Sequence, residues 1–421
     1  MIKKPLYEGH SIHYLNLQNI CYGSYGLLLN KKIVLTSVIL LSCFCAATSA
    51  GQSDLAKKNI QLTRDKSTGK AEVVATFWHA MPTGVTVTET GRIFVSFPRW
   101  GDDVPFTVAE INRGAVVPYP NSVINIADIN NPGKSFLSVQ SVVADGRGKL
   151  WVLDTASPGF SKPITGGAKL VAIDLKTNKV VKTIVLSENV VLPATYVNDV
   201  RIDYRAGKSG IAYITDSSLS GTGGIIVVDL YSGSAVRRLT GDLTTSPEKG
   251  FVPVVEGETL LQRHPDGSTT PFSVASDGIA LSSDGKTLYY SPLAGRHLYS
   301  VDTAKLRDPY ISEKELSASV RDLGEKGASD GLESDVAGNI YAGDYERNSV
   351  RKMDKNGVWS TIVHGPDILW PDTLSVGHDG YLYFIVNQLH RQPVFHMNKD
   401  MRQKPYALMR VKIDEKPIIT R

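Results

Sequence analysis

Cysteine is almost missing from this chain of 421 residues: there are three, Cys21, Cys43 and Cys45. All lie near the N-terminus, so the rest of the chain can form no disulfide, thiolate nucleophile or cysteine-held metal site. An oxidising compartment is tolerated but not exploited. Long hydrophobic runs are missing too. The apolar run at 33–45 has thirteen residues, short of the roughly 20 that cross a bilayer. Familiar catalytic punctuation is also lacking. The histidines beyond residue 50, His79, His264, His297, His364, His378, His390 and His396, show no H-E-x-x-H spacing and read as surface or satisfied core residues. No G-x-S-x-G, P-loop or dinucleotide fingerprint stands between a strand and a helix, and Gly221-Thr222-Gly223-Gly224 precedes a strand.

Charge of one sign is also in short supply. Four of the 46 basic and one of the 42 acidic residues lie in residues 1–50, leaving 42 and 41. That balance gives no electrostatic reason to expect nucleic acid or an anionic membrane as a partner.

The N-terminus reads as an address. Lys31 and Lys32, the run at 33–45 and the small residues Ala46-Ala47-Thr48-Ser49-Ala50 have the three parts of a secretory signal peptide. Residues 1–50 are therefore a leader with its signal at 31–50, and the expected location is secreted or periplasmic, with no transmembrane helix in the mature chain. Leu40-Leu41-Ser42-Cys43 also resembles a lipobox, which would make the product a lipoprotein anchored at Cys43.

What the chain does have is a repeat. Ser276-Asp277-Gly278-Ile279 leads to Asp284-Gly285 and then Leu288-Tyr289-Tyr290; Ser329-Asp330-Gly331-Leu332 leads to Gly338 and Ile340-Tyr341-Ala342; Pro371-Asp372-Thr373-Leu374 leads to Asp379-Gly380 and Tyr381-Leu382-Tyr383. Each is a short apolar strand, a glycine turn and a returning aromatic-rich strand, which is a hairpin. From Asp277 to Gly285, Asp330 to Gly338, Asp372 to Gly380, Thr83 to Gly91 and Gln140 to Gly148 the spacing is eight residues; from Asn198 to Gly207 it is nine. Six copies predict an all-β, six-bladed β-propeller with a central channel, because radial repetition protects strand edges that an open array exposes. The predicted division is a linker at 51–74, the propeller at 75–410 and a tail at 411–421, with residues 241–257 as a loop inserted over one face.

In a propeller the innermost strand of each blade lines the channel, so the residues just before it share one mouth. Those positions are Thr83, Gln140, Asn198, Asp277, Asp330 and Asp372, the predicted ligand-binding ring. The second strands end on the same face at Asp154, Asp216, Asp344 and Asn387. Three carboxylates among neutral oxygen-bearing side chains suit a hard cation such as Ca²⁺, and their mutual repulsion raises at least one carboxyl pKa. Aspartate before a strand is also common turn chemistry. The turn residues Asp145, Asp284 and Asp379 belong to the opposite face, and Trp151, Tyr213, Tyr289, Tyr341 and Tyr383 recur as blade packing.

Several runs together resemble the major royal jelly protein and yellow family, in a form typical of bacterial members. They are Val95-Ser96-Phe97-Pro98-Arg99-Trp100, Pro118-Tyr119-Pro120, Leu150-Trp151-Val152-Leu153-Asp154-Thr155, Ala212-Tyr213-Ile214-Thr215-Asp216-Ser217, Leu288-Tyr289-Tyr290-Ser291-Pro292 and Trp370-Pro371-Asp372-Thr373-Leu374. The resemblance implies a secreted six-bladed propeller, with binding of small amines or lipids and, in some yellow proteins, dopachrome conversion. It brings no catalytic motif to transfer residue by residue. The ring is also similar to the metal site of gluconolactonase propellers: Asn198 and Asp277 hold matching places, and Thr83 stands where that family has its glutamate.

Three functions follow. The first is a small-molecule binder, or converter, of the yellow type working at the channel mouth. The second is a metal-dependent lactone hydrolase with Asn198 and Asp277 on the cation and Asp277 or Asp330 as general base. The third is a protein-interaction scaffold, which the fold also serves.

Overall fold

The computed structural model describes residues 67–419 apart from 221. The signal peptide, the lipobox and all three cysteines lie outside the described residues. No helix among the described residues is long and apolar enough to cross a membrane.

Six four-stranded antiparallel sheets form the blades of a propeller. Their innermost strands are Val85–Val87, Val139–Ala144, Val197–Asp203, Ser276–Leu281, Ser329–Ser334 and Pro371–Val376, in blades I to VI. In blades I to V the four strands follow one another in sequence from the axis outward. Blade VI closes the ring differently: its outermost strand, Ala71–Phe77, comes from the start of the described chain and pairs with Tyr406–Lys412. Joining the two ends of the fold in one sheet leaves no open gap in the circle.

Glycine explains much of the repeat. The turn glycines Gly91, Gly148, Gly207, Gly285, Gly338 and Gly380 all have φ between 70° and 86°, a region that side chains with a Cβ rarely enter. A different constraint acts in the Ser-Asp-Gly copies. A Cβ on Gly278 would lie 2.5 Å from Asp330 O, and one on Gly331 would lie 2.6 Å from Asp372 O. The inner strands of blades IV, V and VI approach so closely at the axis that only glycine fits there.

Apolar faces of neighbouring blades pack on each other. Trp151, Leu153, Ile202, Ala212 and Ile214 fill the space between blades II and III, and Tyr213, Ile225, Ile279, Leu288 and Tyr290 that between III and IV. The recurrent aromatics also tie down hairpins: Tyr341 OH donates to Asp335 and Tyr383 OH to Asp379, both at 2.7 Å.

The channel is filled midway. Arg201 donates to Asp199 Oδ2 at 2.9 Å and to Leu332 O at 2.6 Å, with Glu333 Oε2 3.8 Å away. Below this cluster a cavity of about 100 Å³ is lined in part by Pro417 and Ile418. These belong to the segment after the last strand, which is held to blade V by Val336 N donating to Lys416 O.

Two insertions rise from the other face. One, at 239–275 between blades III and IV, carries the hairpins Val254–Val255 with Glu258–Thr259 and Leu261–Arg263 with Thr269–Pro271. It is longer than the loop predicted at 241–257. The other, at 387–405 in blade VI, has no counterpart in the repeat pattern of the sequence.

Candidate functional site

Five of the six innermost strands carry a bulge at the same place. The pairing register slips between Val139 and Ser141, Val197 and Val200, Ser276 and Ile279, Ser329 and Leu332, and Pro371 and Leu374. A bulge leaves its extra residue unpaired and re-aims its side chain. The first residue in each slip is Gln140, Asn198, Asp277, Asp330 or Asp372, and all five line one cavity of about 690 Å³.

Thr83 is the exception, for a local reason. The ladder of blade I runs without a slip. Thr83 is fully buried, its hydroxyl donates to Gln140 O at 3.2 Å, and it is not among the residues lining the cavity.

The carboxyls form a connected row on blades IV, V and VI. Asn198 Nδ2 donates to Asp277 Oδ2 at 2.6 Å, and Ser217 Oγ lies 2.9 Å from the same oxygen. Asp277 and Asp330 lie close enough for each carboxyl to bear on the other's proton affinity. Trp370 Nε1 donates to Asp330 Oδ2 at 2.7 Å, and Asn387 Nδ2 to Asp372 Oδ2 at 2.6 Å. All three are at most 5 % exposed. Burial, reinforced by the charges of Asp330 and Asp372, holds the Asp277 carboxyl well above the ordinary carboxylate range. Burial and the Asp330 charge do the same to Asp372. Asp330 is pushed up to about 6 by burial, against the pull of the Trp370 hydrogen bond.

Facing this row is an aromatic wall. Trp100 stacks on Phe160 with centroids 4.7 Å apart, and Phe160 lies 5.2 Å from Tyr196. Trp100 Nε1 donates to Tyr196 OH, which donates to Gln140 Oε1 at 3.0 Å. Phe160 is held at φ 58°, a strained angle for an aromatic residue. The insertions complete the walls with Gln262 and Phe272 from one and Leu389, Gln392 and Phe395 from the other. At the rim Arg402 is forked onto Asp102 and Asp400, at 2.8 Å to each.

The second-strand ends behave otherwise. Asp154 takes Lys169 Nζ at 2.7 Å and the backbone N–H groups of Leu137 and Ser138. Asp216 takes Arg237 at 2.8 Å and Tyr196 N, and Asp344 takes Arg347 at 2.8 Å. These three pin the loops and strands of their blades and do not line the cavity. Only Asn387 reaches the inner row, through Asp372.

As arranged, the donors do not fit a divalent cation. The Asn198 amide turns its nitrogen on Asp277, and Thr83 is committed elsewhere. Among the described residues no three His, Cys, Asp or Glu side chains are grouped to hold a metal. What the row offers is three buried carboxyls with raised proton affinity.

The residues that sequence reasoning missed are Tyr196, Phe160 and the insertion at 387–405, none of which sits on the repeat. Trp100 and Trp370 had a signal, since both lie in the runs that carried the family resemblance.

Residues 137–418 match the family model described as major royal jelly protein. The chain belongs to the major royal jelly protein family. Among curated relatives, protein yellow of Drosophila madeirensis is 28% identical over 313 residues, covering 68% of this chain and 51% of that protein. Protein yellow of Drosophila melanogaster is 28% identical over 284 residues, covering 63% and 48%. This royal jelly family member thus spans about half the length of the curated relatives it matches. Among solved structures, a luciferin-regenerating enzyme aligns with a TM-score of 0.51 at 13% identity, covering 83% of this chain and 97% of that one. That likeness bears on the fold alone.

Proposed function

We propose that this chain is an exported propeller that captures a small molecule carrying a cationic group and a flat apolar part in the cavity at the channel mouth. The observation that carries this reading is electrostatic. Asp277, Asp330 and Asp372 face one cavity whose only lysine or arginine, among the described residues, is Arg402, already held by two other aspartates. Burial raises the proton affinity of carboxyls that make no ion pair; a ligand cation supplies the missing charge, and binding then favours release of protons. The wall of Trp100, Phe160 and Tyr196 supports the apolar half, because a ring stacks there and a cation is drawn to aromatic faces. Asp277 and Asp330, whose proton affinities are raised, are the groups that could move a proton on a bound substrate.

The test is a thermal-shift series on the full chain with matched ring compounds carrying an ammonium, a hydroxyl or a carboxylate. Ligands that bind the folded state raise Tm by mass action. The ammonium members should stabilise, and the Asp277→Asn, Asp330→Asn double variant should not respond. A response confined to the carboxylates, or one that survives in the double variant, overturns the reading. Elemental analysis of protein purified without chelator separates the lactonase alternative: one equivalent of calcium or another divalent ion, together with lactone hydrolysis, would replace cation capture with metal-dependent hydrolysis. Export is tested by N-terminal sequencing of the processed protein, expected to begin near residue 51.

A further inference from the structure

Blade I carries an apolar projection on one flank and an apolar recess on the other. The projection is the loop 121–131, which leads from the outermost strand, Ala115–Pro118, toward blade II. Val123, Ile126 and Ile129 are 74%, 65% and 67% exposed there. The loop is nonetheless firmly built. Asn125, buried beneath it, accepts from Thr107 N and Val108 N, both at 2.9 Å, and donates to Tyr119 O and Asn121 O at 3.0 and 2.9 Å. Asn121 Oδ1 caps Val123 N and Ile124 N, and Asp128 ties down Asn130 and Asn131. Aliphatic side chains displayed in water on so fixed a backbone mark an interaction surface.

The recess is a cavity of about 480 Å³ where the outermost strand of blade VI, Ala71–Phe77, gives way to blade I. Phe77, Phe97 and Phe106 build it through edge-to-face contacts with centroids 5.5 and 6.2 Å apart. Pro105 and Val116 add to the lining, and Trp78 completes it while 60% exposed. A tryptophan beside a pocket of this kind is the commonest type of anchor in protein interfaces.

We propose that these two surfaces bind each other in a second copy of this chain, the loop 121–131 of each copy seating its aliphatic side chains in the Phe77–Trp78–Phe106 recess of the other. The first support is that projection and recess occur on one chain with only the strand Ala115–Pro118 between them, since Val116 lines the recess and Pro118 leads toward the loop. A two-fold axis beside blade I uses both at once, and an interface repeated in this way closes as a dimer instead of growing into a fibre. The second support is charge. Asp128 and Lys134 flank the loop and His79 and Asp103 line the recess, so each rim offers an acid and a base to the other. The third is rigidity, which lowers the ordering cost of association with a protein surface. A loop that enters lipid is rich in basic residues, whereas this one carries amides and Asp128.

The proposal is independent of what the upper cavity binds. Sedimentation equilibrium of the full chain tests it, with vesicles of neutral and of anionic lipid as a separate arm. The wild type should approach twice the mass of one chain at about 100 μM. Ile126→Asp, which spoils the loop, and Trp78→Asp, which spoils the recess, should each weaken association by about tenfold or more. Both residues are exposed, so both variants should keep the wild-type Tm. Mixing the two is the decisive arm. An Ile126→Asp chain retains its recess and a Trp78→Asp chain its loop, so the mixed pair regains one of the two contacts and should associate more tightly than either variant alone. Leu243→Asp, at a residue 88% exposed outside both surfaces, should change nothing. A wild type that is monomeric at about 100 μM, association that survives both substitutions, or a mixture no tighter than its components overturns the proposal. Loss of vesicle binding, and not of self-association, in Ile126→Asp would give the loop to a lipid surface and overturn it as well.

Discussion

Two sets of aspartates lie on the same face of this propeller, one strand apart, and they have opposite characters. Asp154, Asp216 and Asp344, at the ends of second strands, each hold a lysine or arginine within 2.8 Å. Asp277, Asp330 and Asp372, in the bulges of inner strands, accept hydrogen bonds only from amides, hydroxyls and an indole, and the nearest lysine, the buried Lys326, makes no ion pair with them. Each member of the outer set holds a cationic side chain and stays out of the cavity lining, although Asp344 Oδ1 has no hydrogen-bond partner; the inner set borders the cavity with no ion pair. A buried acid with its counter-ion is architecture. One without it, facing space, is poised for a ligand.

The strongest challenge to this contrast is to remove a counter-ion from the outer set. Lys169 is 1% exposed and gives its three protons to Asp154, Pro132 O and Gly167 O. Lys169→Met strands Asp154 as a buried, unpaired charge and should cost about 3–5 kcal/mol in urea unfolding. A loss below about 1 kcal/mol would show that this pair is not structural.

The inner set should show its strain in the pH dependence. Asp330 is raised in the folded state to about 6, above its unfolded value near 4. Between those values the folded chain binds more protons than the unfolded one, so the stability from this group is present at low pH and is lost as pH rises toward 6. The loss amounts to at most about 3 kcal/mol. The difference between wild type and Asp330→Asn, measured by denaturation from pH 4 to 7, should carry this fall. A flat difference would refute it.

Two smaller effects probe the same contrast. Thr83→Val removes the hydroxyl bonded to Gln140 O and should cost about 1 kcal/mol, with the Tm response to ammonium compounds unchanged. Asp277→Asn should cost less than about 1 kcal/mol, because burial already opposes the carboxylate charge and an amide oxygen can still accept from Asn198. Its effect belongs in binding. A large stability loss there, with binding intact, would move Asp277 into the structural set.

The fold was legible because a blade is encoded locally. The glycine at positive φ and the strand on each side of it recur at fixed spacing, as the series from Gly91 to Gly380 illustrates. The inner row was legible for a related reason, since Gln140, Asn198, Asp277, Asp330 and Asp372 keep a near-constant distance from the turn glycine, although each proves to be the second residue of its inner strand rather than the one before it. Spacing could not separate Thr83 from them, because whether a strand bulges depends on its pairing with the next. Nor could it tell Asp154 from Asp277: the counter-ions Lys169, Arg237 and Arg347 come from different strands or loops and follow no period. The aromatic wall and the insertion at 387–405 stand outside the repeat, where periodic reasoning has no purchase.

Cation capture by the inner row is decided by a crystal structure of the chain soaked with a phenylalkylammonium compound. The ammonium should lie within about 3 Å of carboxyl oxygens of Asp277, Asp330 or Asp372, with the ring against Trp100, Phe160 or Tyr196. A metal ion held by Asn198 and Asp277, or a probe bound only away from this cavity, would contradict it.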